Sequence, residues 1–158
     1  MPSRFALALL GALVFAQAAG AAILTFEVQL TGAAEVPGPG DPDGSGSATL
    51  MIDDVANTIS WAITVSNLDS VVAVHIHPGV AGATGAPIVD FMGQLSGSGL
   101  ADADLASVVA NPTAFYLNVH TSAFTGGAIR GQLSPVPEPA ALALLAAGAG
   151  IAAIRRRR

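Results

Sequence analysis

Histidine occurs at only three positions in the 158-residue chain, His75, His77 and His120. Two of them flank a single isoleucine in the stretch AVHIHPG, residues 73–79. Neutral imidazole is a ligand for Zn²⁺ and Cu²⁺, and a His-X-His pair on an extended strand sends both rings to one face. His120 closes a second apolar run, AFYLNVHT, in which Tyr116, Asn118 and His120 share one face while Phe115, Leu117 and Val119 share the other. If those two strands are neighbours with aligned faces, the three imidazoles converge into a metal site for Cu or Zn. The competing account is framework: a half-buried histidine can satisfy its nitrogens on carbonyls, Asn118 or Thr121 and so fix the register of a sheet. Periodicity alone does not choose between them.

Other chemistries find less support. With no cysteine, thiol catalysis and thiolate-held metals are excluded, and an exported domain must rely on its apolar core instead of disulfides. No Gly-x-Ser-x-Gly nucleophile elbow occurs, and "SGSG" reads as turn. Asp53-Asp54 and Asp102 with Asp104 look like turn and cap residues rather than acid–base pairs. The loop "GDPDGSG" lacks the ligand spacing of a calcium hand, so turn chemistry accounts for it. No catalytic residue is expected, and the residue types point more to binding than to reaction.

Positioning such residues takes strands, and strands dominate the middle of the chain. Ile59, Trp61, Ile63 and Val65 alternate with Ser60, Ala62, Thr64 and Ser66, the period of a half-buried strand. ILTFEVQL, SATLMID, VVAVHIH, IVDFMGQLSG, AFYLNVHT and GAIRGQL add further strands between turn clusters. One short helix is expected near 102–110, capped by Asp102 and ended before Pro112. An all-β antiparallel sandwich or barrel follows.

The ends read differently. Arg4, the apolar run Phe5 to Ala16 and the small residues of AQAAGAA form a signal peptide, with cleavage after Ala18, Ala21 or Ala22 and the last two favoured. At the other end, Val136-Pro137-Glu138-Pro139 precedes a hydrophobic, helix-forming segment over 140–154 and the basic cluster Arg155, Arg156, Arg157 and Arg158. That apolar segment is shorter than the roughly 20 residues that span a bilayer comfortably. The expected division is therefore 1–22 signal, 23–135 domain and 136–158 tail. Within the domain ten acidic residues face a single base, Arg130, a net charge of −9, and lysine is absent from the chain. Such a surface repels nucleic acid.

The three-part tail resembles the PEP-CTERM sorting signal. That resemblance implies transient insertion in the inner membrane, processing by an exosortase-type enzyme near Pro-Glu-Pro, and delivery to the cell envelope or extracellular matrix. A permanently tethered protein is the alternative. The middle resembles the CHRD, or chordin-type, domain in LTGAAEVPG, in AVHIHPGVAGATGAPIVDF and in NPTAFYLNVHTSAFTGGAIRGQL. The family's marks fall on His75, Ile76 and His77, on Tyr116, Asn118, His120 and Thr121, and on Ile129, Arg130, Gly131, Gln132 and Leu133. Ala128 stands where the family commonly has an acidic residue, and Thr125 where proline is frequent, so an acid that pairs with a histidine or the arginine is expected to be missing. The resemblance implies a secreted β-sandwich or barrel, immunoglobulin-like in type, and no reaction. A looser similarity to Cu/Zn superoxide dismutase lacks the fourth copper histidine, the cysteines and the zinc loop, which argues against dismutase activity. The expected role is a binding or structural module, with exopolysaccharide or envelope components as partners; the alternative is a Cu or Zn protein of redox or hydrolytic function.

Overall fold

A computed structural model describes residues 22–136. The two hydrophobic helical signals expected at the ends, with Pro137, Glu138, Pro139 and the terminal arginines, lie outside the described residues. Among the described residues no helix is long and apolar enough to cross a membrane.

The chain forms eight strands: β1 (Ile23–Thr31), β2 (Ser45–Asp53), β3 (Thr58–Ser66), β4 (Val71–Pro78), β5 (Val89–Asp90), β6 (Ser96–Ala101), β7 (Phe115–Thr121) and β8 (Ile129–Gln132). All belong to one antiparallel sheet in the order β5-β4-β7-β8-β1-β2-β3-β6. The sheet curls until its two ends meet. Trp61 of β3 stacks on Phe91, just past β5, with ring centroids 4.6 Å apart, and Ile63 N donates to Leu95 O at 2.7 Å. Trp61 Nε1 reaches Gln94 O at 2.9 Å, so the one tryptophan is a core residue with its polar atom satisfied.

Alternation fixes the inner face. Phe26, Val28 and Leu30 of β1, Leu50 and Ile52 of β2, Val74 and Ile76 of β4, and Leu117 and Val119 of β7 are all buried in one apolar core. The two-residue period that makes each strand amphipathic therefore also rolls the sheet around its apolar side. β7 departs from the pattern, because every one of its seven residues is buried. Its inner residues face the core, while Tyr116, Asn118 and His120 lie on the outer face beneath loops.

Three expectations need correction. IVDFMGQLSG is not one strand: β5 keeps two residues, then Asp90 Oδ1 accepts the Met92 N–H at 2.7 Å and the chain turns through left-handed Met92 and Gly93. The SGSG read as turn, Ser96 to Gly99, lies inside β6. Gly97 is there because the Trp61 ring lies against it; a Cβ would fall 2.3 Å from Trp61 Cη2. The short helix expected near 102–110 is present as α1, Leu105–Ala110, but its N-cap is Asp104; Asp102 serves the preceding turn, its carboxylate accepting from Asp104 N at 2.9 Å.

Candidate metal centre

β4 and β7 are adjacent, with His75 opposite Asn118, His77 opposite Tyr116 and Ala73 opposite His120. Directly opposed residues share a face. The register therefore sends His75, His77 and His120 to the outer side of the sheet, and one ligand atom from each lies within 4.8 Å of the others. Among the described residues this is the one grouping of metal-ligating side chains.

Each ring has one nitrogen engaged. His77 Nδ1 lies 2.9 Å from Gly85 O and His120 Nδ1 3.0 Å from Thr125 O. A carbonyl only accepts, so both Nδ1 atoms carry the hydrogen and both Nε2 atoms keep a lone pair. His75 Nε2 faces Asp90 Oδ1 at 3.5 Å, which favours the proton on Nε2 and leaves Nδ1 bare. That Nδ1 lies 3.3 Å from His120 Nε2. Imidazole binds zinc at about 2.0–2.1 Å, which sets two ligands of a tetrahedral site roughly 3.3–3.4 Å apart. The pair has that spacing, and the His77 ligand atom lies within 4.8 Å of both. Backbone carbonyls and a carboxylate on the remote nitrogens are the partners that orient metal-bound histidines.

Electrostatics favour the same state. Burial pushes the His77 and His120 pKa values below the usual imidazole range, against the opposing pull of their carbonyl hydrogen bonds. Both rings are thus neutral near pH 7, the form that binds metal. His77 Nε2 is buried and has no hydrogen-bond partner, a costly condition for a polar atom unless something else binds it.

Two loops bring carbonyls to this face. The 79–87 segment supplies Gly85 O to His77, Val80 O to Arg130 Nη2 at 3.1 Å and Gly79 O to Gln132 Nε2 at 2.8 Å. The segment after β7 is tied by Thr121, whose Oγ1 accepts from Phe124 N at 3.1 Å. Thr121 thereby sets the loop that presents Thr125 O. Because the backbone carbonyl does this work, threonine in place of proline at 125 costs the site no ligand partner. Gly131 lets β8 lie close to β1: a Cβ there would fall 2.1 Å from Gln29 O.

The family-motif residues pack around the imidazoles. Tyr116 stacks on His77, centroids 5.0 Å apart and planes 8° from parallel, and the Arg130 guanidinium carbon sits 3.4 Å above the other side of that phenol. Arg130 is 2 % exposed. Its expected loss of an acidic neighbour is only half right: Ala128 offers none, but Glu35 arrives from the loop after β1. Burial lifts the Glu35 carboxyl to about 7, opposed by the Arg130 charge and by an Asn118 Nδ2 hydrogen bond at 3.5 Å. Glu35 Oε1, Asn118 Oδ1 and Arg130 Nη1 are buried without partners, like His77 Nε2.

Asp90, Glu35 and the two carbonyl-bearing loops were not singled out from the residue pattern. Glu35 had one available signal, as the acid inside LTGAAEVPG. Of the expected sorting residues, Val136 is described and exposed.

The family model for the CHRD domain matches residues 26–133. The model for the PEP-CTERM protein-sorting motif matches residues 135–158. No curated protein and no solved structure matches the chain. The sorting motif supports export, membrane-associated sorting toward the envelope and processing by an exosortase-type enzyme. The curled antiparallel sheet, with its His-Ile-His strand beside Tyr-x-Asn-x-His-Thr, is the body that the first match covers, and the chain belongs to the CHRD domain family.

Proposed function

We propose that this protein is an exported envelope module that binds one transition-metal ion, copper or zinc, through His75, His77 and His120. One observation carries the reading: three imidazoles from two adjacent strands bring one nitrogen each within 4.8 Å of the others, with their remote nitrogens facing Asp90, Gly85 O and Thr125 O. A purely structural cluster needs no such division of roles. It would pair each ring nitrogen with a donor or acceptor, whereas His77 Nε2 has neither.

The working role is binding, in the envelope or matrix, with exopolysaccharide or envelope components as candidate partners. Three protein nitrogens would leave one position of a tetrahedral ion free, and His75, with its side chain 18 % exposed, is the ligand most open to solvent. A ligand from outside can complete the coordination there. The same open position is what a hydrolytic or redox centre requires, so the reactive reading rests on the ligand count alone.

The test is elemental mass spectrometry on the exported protein, equilibrated with copper or with zinc and freed of loose ions. One equivalent is expected, falling to background in His77→Ala and His120→Ala. Melting curves in chelator identify variants that merely misfold. Protein that holds no metal above background, with wild-type and variants alike, returns the histidines to framework. Turnover of superoxide or of an ester by the loaded protein would move it into the reactive class.

A further inference from the structure

We infer that signal peptidase cuts between Ala21 and Ala22, and that Asp54 receives the ammonium group created there. The inference rests on the export reading. Ala19-Gly20-Ala21 puts small residues at the two positions a signal peptidase reads, but the neighbouring alanines offer other frames. The folded body distinguishes them.

Ile23 pairs with Asp53 at the end of the β1–β2 ladder, and two hydrogen bonds between Ala22 and Asp54 extend it. Asp54 N donates to Ala22 O at 3.3 Å. In the other direction Ala22 N donates at 2.9 Å to the Asp54 carboxylate, Oδ1, instead of to a main-chain oxygen. The substitution has a local cause. The chain turns immediately after this pair, with Asp53 Oδ1 accepting from Val55 N and Ala56 N and with Asn57 left-handed.

A full negative charge thus stands where a strand-end amide would ordinarily meet a carbonyl. It suits an ammonium better than an amide. Hydrolysis consumes one water: the Ala21–Ala22 C–N bond breaks, hydroxyl goes to the Ala21 carboxyl, and the Ala22 nitrogen is protonated at neutral pH. The product has three donors and a positive charge at a site already 2.9 Å from the carboxylate. A cut after Ala22 removes the residue that meets Asp54, and a cut after Ala18 carries the charge three residues past it. The division between signal and domain then falls one residue before the expected boundary, at 1–21 and 22.

The test uses the full chain expressed in an exporting bacterium and recovered from the envelope. N-terminal sequencing and intact mass are expected to find Ala22 first. The α-amine, labelled by reductive methylation and titrated by NMR, is expected to lie about half a pKa unit above that of Asp54→Asn. A first residue of Ala19 or Ile23, or equal titration in the two proteins, refutes the assignment and leaves export standing. A product that retains Met1 refutes the export reading along with it.

Discussion

At the scale of single residues, the division of labour among ring nitrogens makes distinct predictions for ligands and for the groups that orient them. Asp90 touches His75 from the solvent side, with its own side chain 62 % exposed. Asp90→Asn should leave the fold intact and lower metal affinity by roughly 10–100-fold, the usual cost of losing an outer partner. Competition against a chromophoric chelator reads this directly; unchanged affinity would show that the carboxylate does not orient the ring. Glu35 makes a prediction in pH. Its carboxyl is raised from 4.5 to about 7 in the folded state, so the native protein keeps a proton that the unfolded chain has lost. Stability from this group is therefore complete below about 4.5 and declines as pH rises through 7, by up to about 3 kcal/mol. Glu35→Gln, which cannot ionise, should flatten that part of the profile. Urea unfolding of metal-free protein at pH 4.5, 6 and 8 measures the difference, and parallel profiles would contradict it.

At the scale of elements, β7 is the strand on which both halves of the molecule depend. Leu117 and Val119 pack into the core while Asn118 and His120 form the site, and the β4 register brings His75 and His77 alongside. A slip of one residue between β4 and β7 would put His75 and His77 on the core side and Ile76 outside, so core burial enforces the site's geometry. The far closure depends on a different pair. Gly97 of β6 sits under Trp61, with no room for a methyl group. Gly97→Ala should cost about 1–3 kcal/mol, as overpacking does, and should disturb the Trp61–Phe91 stack that joins the sheet's ends. Thermal unfolding followed by tryptophan fluorescence reports both effects; a neutral substitution would mean the ring has space to shift.

At the scale of the whole molecule, residues 22 and 136, the two ends of the described segment, lie at one end of β1. Ala22 immediately precedes the strand, while Pro135 bridges to Phe26 and Val136 N donates to Thr25 O at 2.9 Å. The histidine row lies farther along the sheet, since His75, Asn118, Arg130 and Thr31 follow one another across four strands. Thr31 is six residues from Thr25, about 20 Å of extended chain. The candidate metal centre therefore stands well away from the end of β1 at which the described residues begin and end. Trimming at either terminus should leave metal binding unchanged. Intact mass of the mature protein is expected to lack residues 140–158, and a retained tail would mark it as permanently tethered.

Much of this was legible without coordinates because it depends on local rules. Two-residue alternation fixed which side chains of β3, β4 and β7 share a face, and composition excluded thiol chemistry. The placement of His75 with His77 needs only strand geometry. Their meeting with His120 is decided by which strands pair, at a separation of more than 40 residues, and that is a property of the closed sheet. So is the arrival of Glu35 beside Arg130 and of Gly85 O and Thr125 O beside the rings, because loop carbonyls leave no mark in side-chain patterns. SGSG shows the limit most plainly: glycine signals a turn in one dimension, and only the Trp61 ring packed over Gly97 makes it a strand.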